Sequence, residues 1–523
     1  MAVETSKLKV IYNDDPEVLK NEKTDDYSVR TVPESARSPL WSTTSAWALF
    51  MTGAFQIIIS GTLAMAVGTM AVIIGMLITV VSMGIFGALV AKETGPLGIG
   101  QNLLSRKAAF GYAGGFIASL ILGLAALYYS ALEASVMAHS FYTILPNVNV
   151  NIWYAIMAFA LIPMVWFGMK VIERVANITF FIWLVGFIIL MIVTYVKTDG
   201  GYDGWLTYMP EDPIATGPMA VLYVVTSYMS LYIWFMEIPD YARFTKKKDV
   251  KAAAWITFGP IFELVAVFVL GLCGIWLTLS IGAGYNSGVY IPMILGIWGT
   301  IFVLLTQVRI NIGNLYVASL SFSGFFVAIF KRYIPRNIWA VILSVIVFLI
   351  MLTDVLDWIN AALKFQGVLM VSWIGVVLPY FWFFKKKLGE GETIDCRRSH
   401  TISYNRAGII GIIAALVVGN SLLFFGGHVG STWSSLAALI AAFAATIIVG
   451  YATKFEDYKD KYVYDNSALK EIKNAEEARV RCSVCGHHYR ISDMEICPIT
   501  KDAICSLCCS KDKNCHDLCK KGN

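Results

Sequence analysis

The sequence predicts an all-α integral membrane protein with twelve transmembrane helices and a small zinc-ribbon-like cytoplasmic tail. Of the 523 residues, 57% are hydrophobic and 15% are charged, whereas soluble domains average about 45–50% and about 25%. Uncharged stretches recur along the chain, and the one from Leu40 to Ala91 is long enough for two crossings of about 20 residues each. This hydrophobicity excludes a disordered chain. The net charge of +5 is too small for a nucleic-acid-binding surface, so we expect no nucleic-acid partner.

The uncharged stretches divide into helices at polar turns and at turns that contain Gly or Pro. Helices are expected because a lipid-exposed backbone must satisfy its own hydrogen bonds, and because these runs do not alternate like barrel strands. The twelve predicted helices cover residues 42–70, 72–91, 110–143, 152–169, 175–196, 215–238, 252–280, 289–328, 337–353, 358–384, 407–426 and 432–453.

The loop charges predict the orientation of these helices. Basic residues follow the even-numbered helices, as in Lys246-Lys247-Lys248, whereas loop 197–212 carries four acidic residues against Lys197. The positive-inside rule therefore places both termini in the cytoplasm of a multi-pass protein of the inner (plasma) membrane. Around the twelve-helix domain (39–453), we expect a flexible cytoplasmic N-terminal tail (1–38), a charged linker (454–480) that is helical over 466–480, and a cysteine-rich domain (481–523).

Several ionisable residues fall inside predicted helices, where each costs a few kcal/mol. The deep ones are Glu133, Glu263, Arg309 and Lys364, and Glu237 lies nearer the cytoplasmic end of the sixth helix. A structural ion pair or a snorkelling lysine is the alternative to a functional role. We favour that alternative for Lys364 and Glu237, and we leave both interpretations open for Glu263.

Polar residues that suit a flat heterocycle concentrate in three helices. Tyr129 and Glu133 share a face of the third helix, so a ring could stack on the ligand while the carboxylate accepts its N–H groups. Asn311 and Asn314 share a face of the eighth helix and offer donors and acceptors. Gln56 lies in a Gly-punctuated stretch of the first helix, which is typical of a broken helix that lines a cavity. Alternatively, such amides join helices together.

Four segments carry a resemblance to a known family. They are Glu93-Thr94-Gly95-Pro96 with Gln101 and residues 105–112, residues 128–135, residues 238–244, and Asn311-Ile312-Gly313-Asn314-Leu315-Tyr316. They resemble the nucleobase–cation symporters of the purine/cytosine permease type, over roughly residues 38–453. The resemblance implies a core of two inverted five-helix repeats plus two C-terminal helices, with broken first and sixth helices and a substrate near the midplane.

The resemblance also implies roles for single residues. It makes Gln56 a substrate-binding amide, Tyr129 a stacking ring, Glu133 a hydrogen-bonding residue, Asn314 a second amide, and Tyr232 the nearest candidate for a stacking ring on the sixth helix. In sodium-coupled members a Ser/Thr pair of the eighth helix binds the ion, and Val308 and Arg309 occupy those positions here.

Arg309 is the departure from the family pattern that bears on coupling. A guanidinium stays charged and accepts no hydrogen bond. We therefore expect Arg309 to replace the sodium ion and to pair with a carboxylate, which leaves transport proton-coupled or uncoupled. Glu133 and Glu263 are the candidate proton carriers.

The cysteines of the tail predict metal sites. Eight of the ten cysteines form short-spaced groups, namely Cys482, Cys485, Cys497, Cys505, Cys508, Cys509, Cys515 and Cys519. Thiols stay reduced in the cytoplasm, and eight of them suit two structural four-cysteine zinc sites. His487, His488 or His516 could substitute for a ligand, and an iron–sulfur cluster or redox-active thiols are the alternatives. The tail resembles the cysteine-rich segment that joins permease-like domains to signalling outputs in some bacterial chains.

Together, these features favour a secondary active transporter that imports cytosine, a purine, a hydantoin or allantoin by alternating access. The alternative is a membrane sensor whose ligand-binding core signals to a cytoplasmic protein partner through the zinc tail. The other expected partners are the heterocycle and the lipid bilayer. An enzyme is not expected, because the sequence shows no nucleophile–base constellation and no phosphate-binding glycine loop.

Overall fold

Helices account for most of the chain in the computed structural model. The structure describes residues 8–229, 231, 233–282, 287–356, 359–389, 394–459, 467–474, 477–497, 499–515 and 517. The helices of the first half are α1 (Pro16–Asp25), α2 (Leu40–Trp47), α3 (Ala54–Val67), α4 (Thr69–Thr94), α5 (Gln101–Ser105), α6 (Gly111–Gly114), α7 (Phe116–Ile144), α8 (Val150–Phe159), α9 (Ile162–Trp166), α10 (Met169–Lys197), α11 (Gly217–Met229) and α12 (Ile233–Ala242).

Two helices of the second half pack closely on helices of the first half. The helices of the second half are α13 (Val250–Ile256), α14 (Pro260–Glu263), α15 (Leu270–Ile281), α16 (Ser287–Leu295), α17 (Ile297–Phe330), α18 (Arg336–Met351), α19 (Ile359–Pro379), α20 (Lys385–Lys387), α21 (Arg406–Phe425), α22 (Gly427–Ala452), α23 (Ser467–Lys470) and α24 (Ser506–Lys511). Helix α17 packs along α7, and α15 packs along α3. The strands are β1 (Val10–Ile11), β2 (Arg479–Arg481), β3 (His488–Arg490), β4 (Met494–Ile496) and β5 (Ala503–Cys505).

Within the described chain, eight helical segments are long and apolar enough to cross a membrane. They are Thr69–Thr94, Phe116–Ile144, Met169–Lys197, Lys247–Ile281, Ile297–Phe330, Ala362–Lys387, Arg406–Phe425 and Gly427–Ala452. Two bent pairs bring the number to ten if each pair is one span, and two shorter apolar segments cover Val150–Trp166 and Arg336–Met351. The structure therefore agrees with a multi-span helical membrane protein, and the count of twelve stays a prediction.

The two bent pairs are the helices that the family resemblance implies are broken. The first pair is bent by 40° between Leu40–Thr52 and Ile57–Val67. The second pair is bent by 41° between Gly217–Met229 and Ile233–Ala242. In the first pair the backbone of Gly53 is extended, which interrupts the helical hydrogen bonds. Helix breaks inside a membrane domain are tolerated where the freed backbone lines a cavity.

Several predicted helices are divided in the structure, and Gly or Pro marks the divisions. The predicted helix 289–328 is the two helices α16 and α17, separated by Gly296 at φ 61°. The predicted helix 110–143 begins with a π-helical turn over Arg106–Phe110, and Gly111 has φ 84°. Pro260 starts α14 within the predicted helix 252–280, because proline fits the first turn of a helix better than its interior.

The N-terminal segment, residues 8–38, is built into the structure, which differs from the flexible tail that its polar composition predicts. Strand β1 pairs antiparallel with β2, with Val10 opposite Val480. The carboxylate of Asp26 accepts hydrogen bonds from the Tyr316 hydroxyl and the Met169 N–H, both at 2.7 Å. The segment is ordered because it supplies partners to buried polar groups, at the same end of the bundle as strand β2.

The cysteine-rich module is the described part of residues 467–517, and it consists of the short strands β2–β5 and the short helices α23 and α24. Strands β1, β2 and β3 form one antiparallel sheet, and β4 pairs with β5. The predicted helix over 466–480 is wrong beyond α23, because β2 begins at Arg479 and buries Val480 against the neighbouring strands. The module rests on the bundle through Arg397, which donates to the Met494 carbonyl (2.8 Å), and Arg398, which donates to the Cys509 carbonyl (2.6 Å).

Candidate functional site

A small cavity, here called the central cavity, lies between the two broken helices and the α7–α17 pair. It is lined by Phe50, Tyr129, Glu133, Leu231, Ile233, Trp234, Glu237, Ile310 and Asn314. Its volume is ≈ 20 Å³, which is room for about one water molecule. A planar heterocycle therefore needs these helices to move apart.

Glu133 is the carboxylate that α7 contributes to this cavity. It is 1% exposed and accepts a hydrogen bond from the amide of Gln307 on α17. Gly53 lies over it, because a Cβ at position 53 would be 3.6 Å from Glu133 Oε1 and only 2.6 Å from Ile310 Cδ1. The break of the first helix thus brings its backbone to the carboxylate, and Gln307 is a partner that the sequence analysis missed.

The two asparagines of α17 have different positions. Asn311 Nδ2 donates to the Ser130 carbonyl of α7 at 3.0 Å, and Asn311 does not line the central cavity. This is the contact expected of an amide that joins two helices. Asn314 lines the cavity, and its buried Nδ2 has no hydrogen-bond partner within the described chain. An unmade hydrogen bond of this kind is costly unless a ligand or water supplies the acceptor.

Aromatic rings line the cavity from three elements. Tyr129 is 6% exposed and its hydroxyl lies beside Gln366. Phe50 and Trp234 have ring centroids 6.5 Å apart at 44°. Tyr232, the predicted ring of the sixth helix, lies outside the described residues, and so does the side chain of Gln56. Trp234, two positions after Tyr232, is the described aromatic residue that the sixth helix places at the cavity.

Glu237 is a cavity residue that the sequence interpretation missed. The predicted structural ion pair is wrong: both carboxylate oxygens are buried and have no hydrogen-bond partner among the residues the structure describes. Because the sixth helix breaks before Ile233, α12 turns Glu237 towards Glu133 and Asn314, with which it lines the cavity. A carboxyl group between two apolar positions in a helix gave no local sequence signal for this orientation.

Arg309 holds three elements together but does not pair with a carboxylate. It is 0% exposed, and its guanidinium donates to Thr52 Oγ1 (3.2 Å), to the Ala176 carbonyl (3.1 Å) and to Thr179 Oγ1. No described carboxylate lies within salt-bridge distance, so the predicted carboxylate partner is wrong. Instead of a carboxylate, the guanidinium contacts a hydroxyl next to the break of the first helix and a carbonyl and a hydroxyl of α10.

The remaining candidates lie apart from this cavity. Glu263 is buried at the end of α14 and does not line it. Lys364 is exposed on α19, as expected of a snorkelling lysine. The structure therefore brings Tyr129, Glu133 and Asn314 together and leaves Asn311, Glu263 and Arg309 outside.

Four cysteines of the module form a second candidate site. The Sγ atoms of Cys482, Cys485, Cys505 and Cys508 all lie within 4.8 Å of one another. Tetrahedral zinc with Zn–S bonds of about 2.3 Å needs sulfurs about 3.8 Å apart, so the set fits this metal. The N–H of Cys505 donates to Cys482 Sγ at 3.3 Å, and the N–H of Cys508 donates to Cys505 Sγ at 3.4 Å, contacts that stabilise thiolates.

The other cysteines do not form such a group in the part of the chain that the structure describes. The thiol of Cys509 lies beside the Glu495 carboxylate, and Cys515 is buried nearby. Cys519 and His516 lie outside the described residues, and Cys497 does not join the cluster. His488 contacts Asp15 instead: its backbone N–H donates to Asp15 Oδ2 at 2.9 Å, and its ring Nδ1 lies 3.3 Å from the same oxygen. The second zinc ion stays a prediction.

Comparisons with known proteins agree with this architecture. The family model described as permease for cytosine/purines, uracil, thiamine, allantoin matches residues 31–450. The structure of the inward-facing conformation of Mhp1 is similar at a TM-score of 0.64 and 16% identity, covering 82% of this chain and 96% of that chain. A second structure is described as Mhp1, a nucleobase-cation-symport-1 family transporter, in a closed conformation with bromovinylhydantoin bound. It is similar at a TM-score of 0.60 and 16% identity, covering 82% of this chain and 98% of that chain.

A third solved structure has the same fold. It is the substrate-bound outward-open state of a Na⁺-coupled sialic acid symporter, with a TM-score of 0.56 at 12% identity, covering 82% of this chain and 93% of that chain. No curated relative matches the sequence. At these identities, the solved structures establish the fold.

Proposed function

The chain belongs to the family of permeases for cytosine/purines, uracil, thiamine and allantoin, and we propose that it is a secondary active transporter that imports a nucleobase-like heterocycle by alternating access. The observation that carries the proposal is the convergence of Tyr129, Glu133 and Asn314 on one buried cavity between the two broken helices. Cytosine, purines, hydantoins and allantoin remain the candidate substrates.

The chemistry of the cavity suits a neutral, planar molecule with both donors and acceptors. Glu133 can accept ring or exocyclic N–H groups, and the unpartnered Asn314 Nδ2 can donate to a ring carbonyl or nitrogen. The rings of Tyr129 and Trp234 supply flat apolar faces at the same depth. A sugar would leave these faces without a partner.

The breaks of the two helices are where we place the movement that opens the cavity. Phe50 lies just before the break of the first helix, and Leu231, Ile233 and Trp234 lie at the break of the sixth. A few residues at helix ends absorb the backbone change in hinge motions. Rotation about these breaks would widen the cavity without disturbing the α7–α17 contact through Asn311.

We propose that transport is not driven by sodium. The guanidinium of Arg309 is permanently charged and donates to the hydroxyl oxygens of Thr52 and Thr179 and to the Ala176 carbonyl oxygen. Because these three oxygens already accept from Arg309, they are not free to bind a cation. Glu133 is the preferred proton carrier because it lines the cavity. Glu237 is a second carboxyl group at the cavity, whereas Glu263 would act only at a distance. We also propose that the protein lies in the plasma membrane with both termini in the cytoplasm, as the basic loops favour.

Counterflow in proteoliposomes tests the proposal. Vesicles loaded with unlabelled cytosine, purines, hydantoins or allantoin should accumulate the matching radiolabelled compound, and the signal should persist when choline replaces Na⁺ at fixed pH. The proposal fails if none of these heterocycles exchanges. If exchange requires Na⁺, only the proposed coupling is wrong.

The sensor alternative stays a second proposal, and it concerns the cysteine-rich module, which docks on the bundle. Arg397 and Arg398 join loop 394–405 to the module, and Tyr112 hydrogen-bonds with Ser510. Truncation after Lys459 removes the module but keeps the ion pair of Arg406 with Asp457 (2.9 Å). Undiminished exchange by the truncated chain would assign the module to signalling or partner docking, and lost exchange in a folded truncated chain would assign it to transport.

A further inference from the structure

A second cavity, here called the terminal cavity, lies between the bundle and the cysteine-rich module. Its volume is ≈ 370 Å³, whereas the volume of the central cavity is ≈ 20 Å³. Small-molecule pockets typically hold about 300–1,000 Å³. Four separate parts of the chain form its wall: residues 29–31, residues 97–112, residues 394–398 and module residues 492, 493 and 506.

Arginines dominate the charge of this wall. Arg30, Arg106, Arg397 and Arg398 line the cavity, against the carboxylates of Asp395 and Asp493. Three of the four guanidinium groups have carboxylate partners. Arg30 pairs with Glu22 at 2.8 Å, Arg398 pairs with Asp517 at 2.7 Å, and Arg397 pairs with Asp395.

Arg106 is the exception. It is 4% exposed, its Nε donates to Asn102 Oδ1 at 3.0 Å, and its guanidinium lies 4.6 Å from the centre of the Tyr112 ring. Within the described chain, its Nε–H bond to Asn102 is the one hydrogen bond that it donates, and no described carboxylate pairs with it. A buried guanidinium without an anion is costly, so the cavity is where a counter-charge would come from. The buried hydroxyl of Ser506, on the opposite wall, also lacks a described partner.

The two carboxylates of the wall do not supply that counter-charge. Burial raises the pKa of Asp493, which disfavours its charged form. Burial alone would also raise the pKa of Asp395, but hydrogen bonds from Arg397 hold it below its ordinary value. Asp395 is therefore committed to Arg397, and Arg106 is left without a carboxylate partner in the described chain.

We propose that the terminal cavity binds a phosphate-bearing anion of about nucleotide size, with Arg106 as its principal contact. Arginine presents paired N–H donors that match phosphate oxygens. Because the wall combines the N-terminal segment, the bundle and the module, an anion in the cavity contacts all three and stabilises the docked module. This site lies apart from the central cavity and does not depend on the transported substrate.

Ligand binding to the purified full-length protein tests the proposal, with inorganic pyrophosphate and ATP as probes and adenosine as the uncharged control. Pyrophosphate and ATP should raise the melting temperature in a concentration-dependent way, because a ligand that binds only the folded state stabilises it. Adenosine should not. Arg106→Gln should weaken binding at least about 10-fold, whereas Arg332→Gln, at an exposed arginine outside the cavity, should not change it.

A second variant covers the case in which Arg106→Gln fails to fold. Ser492 is exposed at the cavity wall, so Ser492→Asp adds a negative charge there with little cost to folding. It should weaken pyrophosphate binding while the melting temperature without ligand stays unchanged. Binding that is equally tight in wild type, Arg106→Gln and Ser492→Asp would overturn the proposal, as would no shift with pyrophosphate, ATP or anionic lipid.

Nanodiscs distinguish the two sources of such a phosphate. If anionic lipid lowers the apparent affinity of the wild type for ATP, and neutral lipid does not, the natural ligand is a lipid headgroup. If lipid charge has no effect on ATP binding, the ligand is a soluble phosphate compound. In either case ATP binding depends on the same guanidinium, so Arg106→Gln should bind ATP weakly in both anionic and neutral nanodiscs.

Discussion

The central and terminal cavities differ in the ionisable side chains that line them. The central cavity is lined by two carboxyl groups and no arginine, and Glu237 there has no described partner. The terminal cavity is lined by four arginines, of which three are paired with carboxylates. Carboxyl groups in an apolar chamber suit a neutral donor-bearing ligand, whereas an unpaired guanidinium suits an anion. On our proposals, one chain holds two ligand sites of unlike chemistry, and variants that affect only one of the two cavities test them.

The largest expected effect is at the four-cysteine cluster, for which we predict one bound zinc ion. Cys482→Ser should remove essentially all zinc from the four-cysteine site, because each thiolate ligand is needed and structural zinc contributes about 10–16 kcal/mol. Zinc content by mass spectrometry should fall by one ion per chain, and pyrophosphate binding should be lost with the module. Heterocycle binding should remain within about 2-fold. Cys273→Ser, in α15 and away from the cluster, is the matched control.

Retention of the full zinc content by Cys482→Ser would contradict the assigned ligand set. Equal loss of pyrophosphate and heterocycle binding would show that the two cavities are not independent.

Glu133→Ala should give the next largest effect, on the central cavity alone. Heterocycle uptake should fall about 100-fold, about 3 kcal/mol, because the substrate loses a charged acceptor and the Gln307 amide loses its partner. Initial uptake rates in proteoliposomes measure this. Glu93→Ala, at a carboxylate that pairs with Lys385 at 2.6 Å, should leave uptake within about 2-fold.

Pyrophosphate binding should be unchanged in Glu133→Ala. Wild-type uptake by this variant would remove Glu133 from the substrate site.

Arg309→Gln should have an intermediate effect. Its guanidinium donates to Thr52, Ala176 and Thr179, and loss of such charge-assisted bonds costs about 1.5–3 kcal/mol. Uptake should fall about 10-fold with a lower melting temperature, while both ligands still bind. Uptake by this variant that depends on Na⁺ would show that a cation can take the place of the guanidinium. Unchanged uptake and melting temperature would contradict the role assigned to Arg309.

Asp26→Ala should give the smallest effect. It removes the acceptor of the Tyr316 hydroxyl and the Met169 N–H, which should lower the free energy of unfolding by about 1–3 kcal/mol. The melting temperature measures this, and the exposed Asp212→Ala should show no change. An Asp26→Ala protein as stable as the wild type would contradict the stabilising role assigned to Asp26.

The sequence predicted those features that local spacing determines. Tyr129 and Glu133 lie four positions apart on one helix, and Asn314 follows from the helical period of α17 together with the family resemblance. The short-spaced cysteines predict four-cysteine sites, but their spacing does not predict which two pairs share a site, and the structure brings Cys482 and Cys485 to Cys505 and Cys508. The correct predictions depend on residues that are close in the chain.

Features that depend on distant contacts could not be predicted. Glu237 faces the central cavity only because the sixth helix breaks before Ile233. Asp26 and Tyr316 are 290 positions apart, so the polar N-terminal segment reads as a tail although it is built into the fold. The oxygen partners of Arg309 come from α10 and from the break of the first helix, whereas its charge alone suggested a carboxylate.

The most direct test of the central claim is a thermal-shift screen of purines, pyrimidines and hydantoins against the wild type and the paired variant Asn314→Ala. The account predicts that at least one class raises the melting temperature of the wild type, without Na⁺, and that Asn314→Ala needs about 10-fold more ligand for the same shift. If no planar heterocycle stabilises the wild type, or if the variant responds identically, the central cavity is not the substrate site.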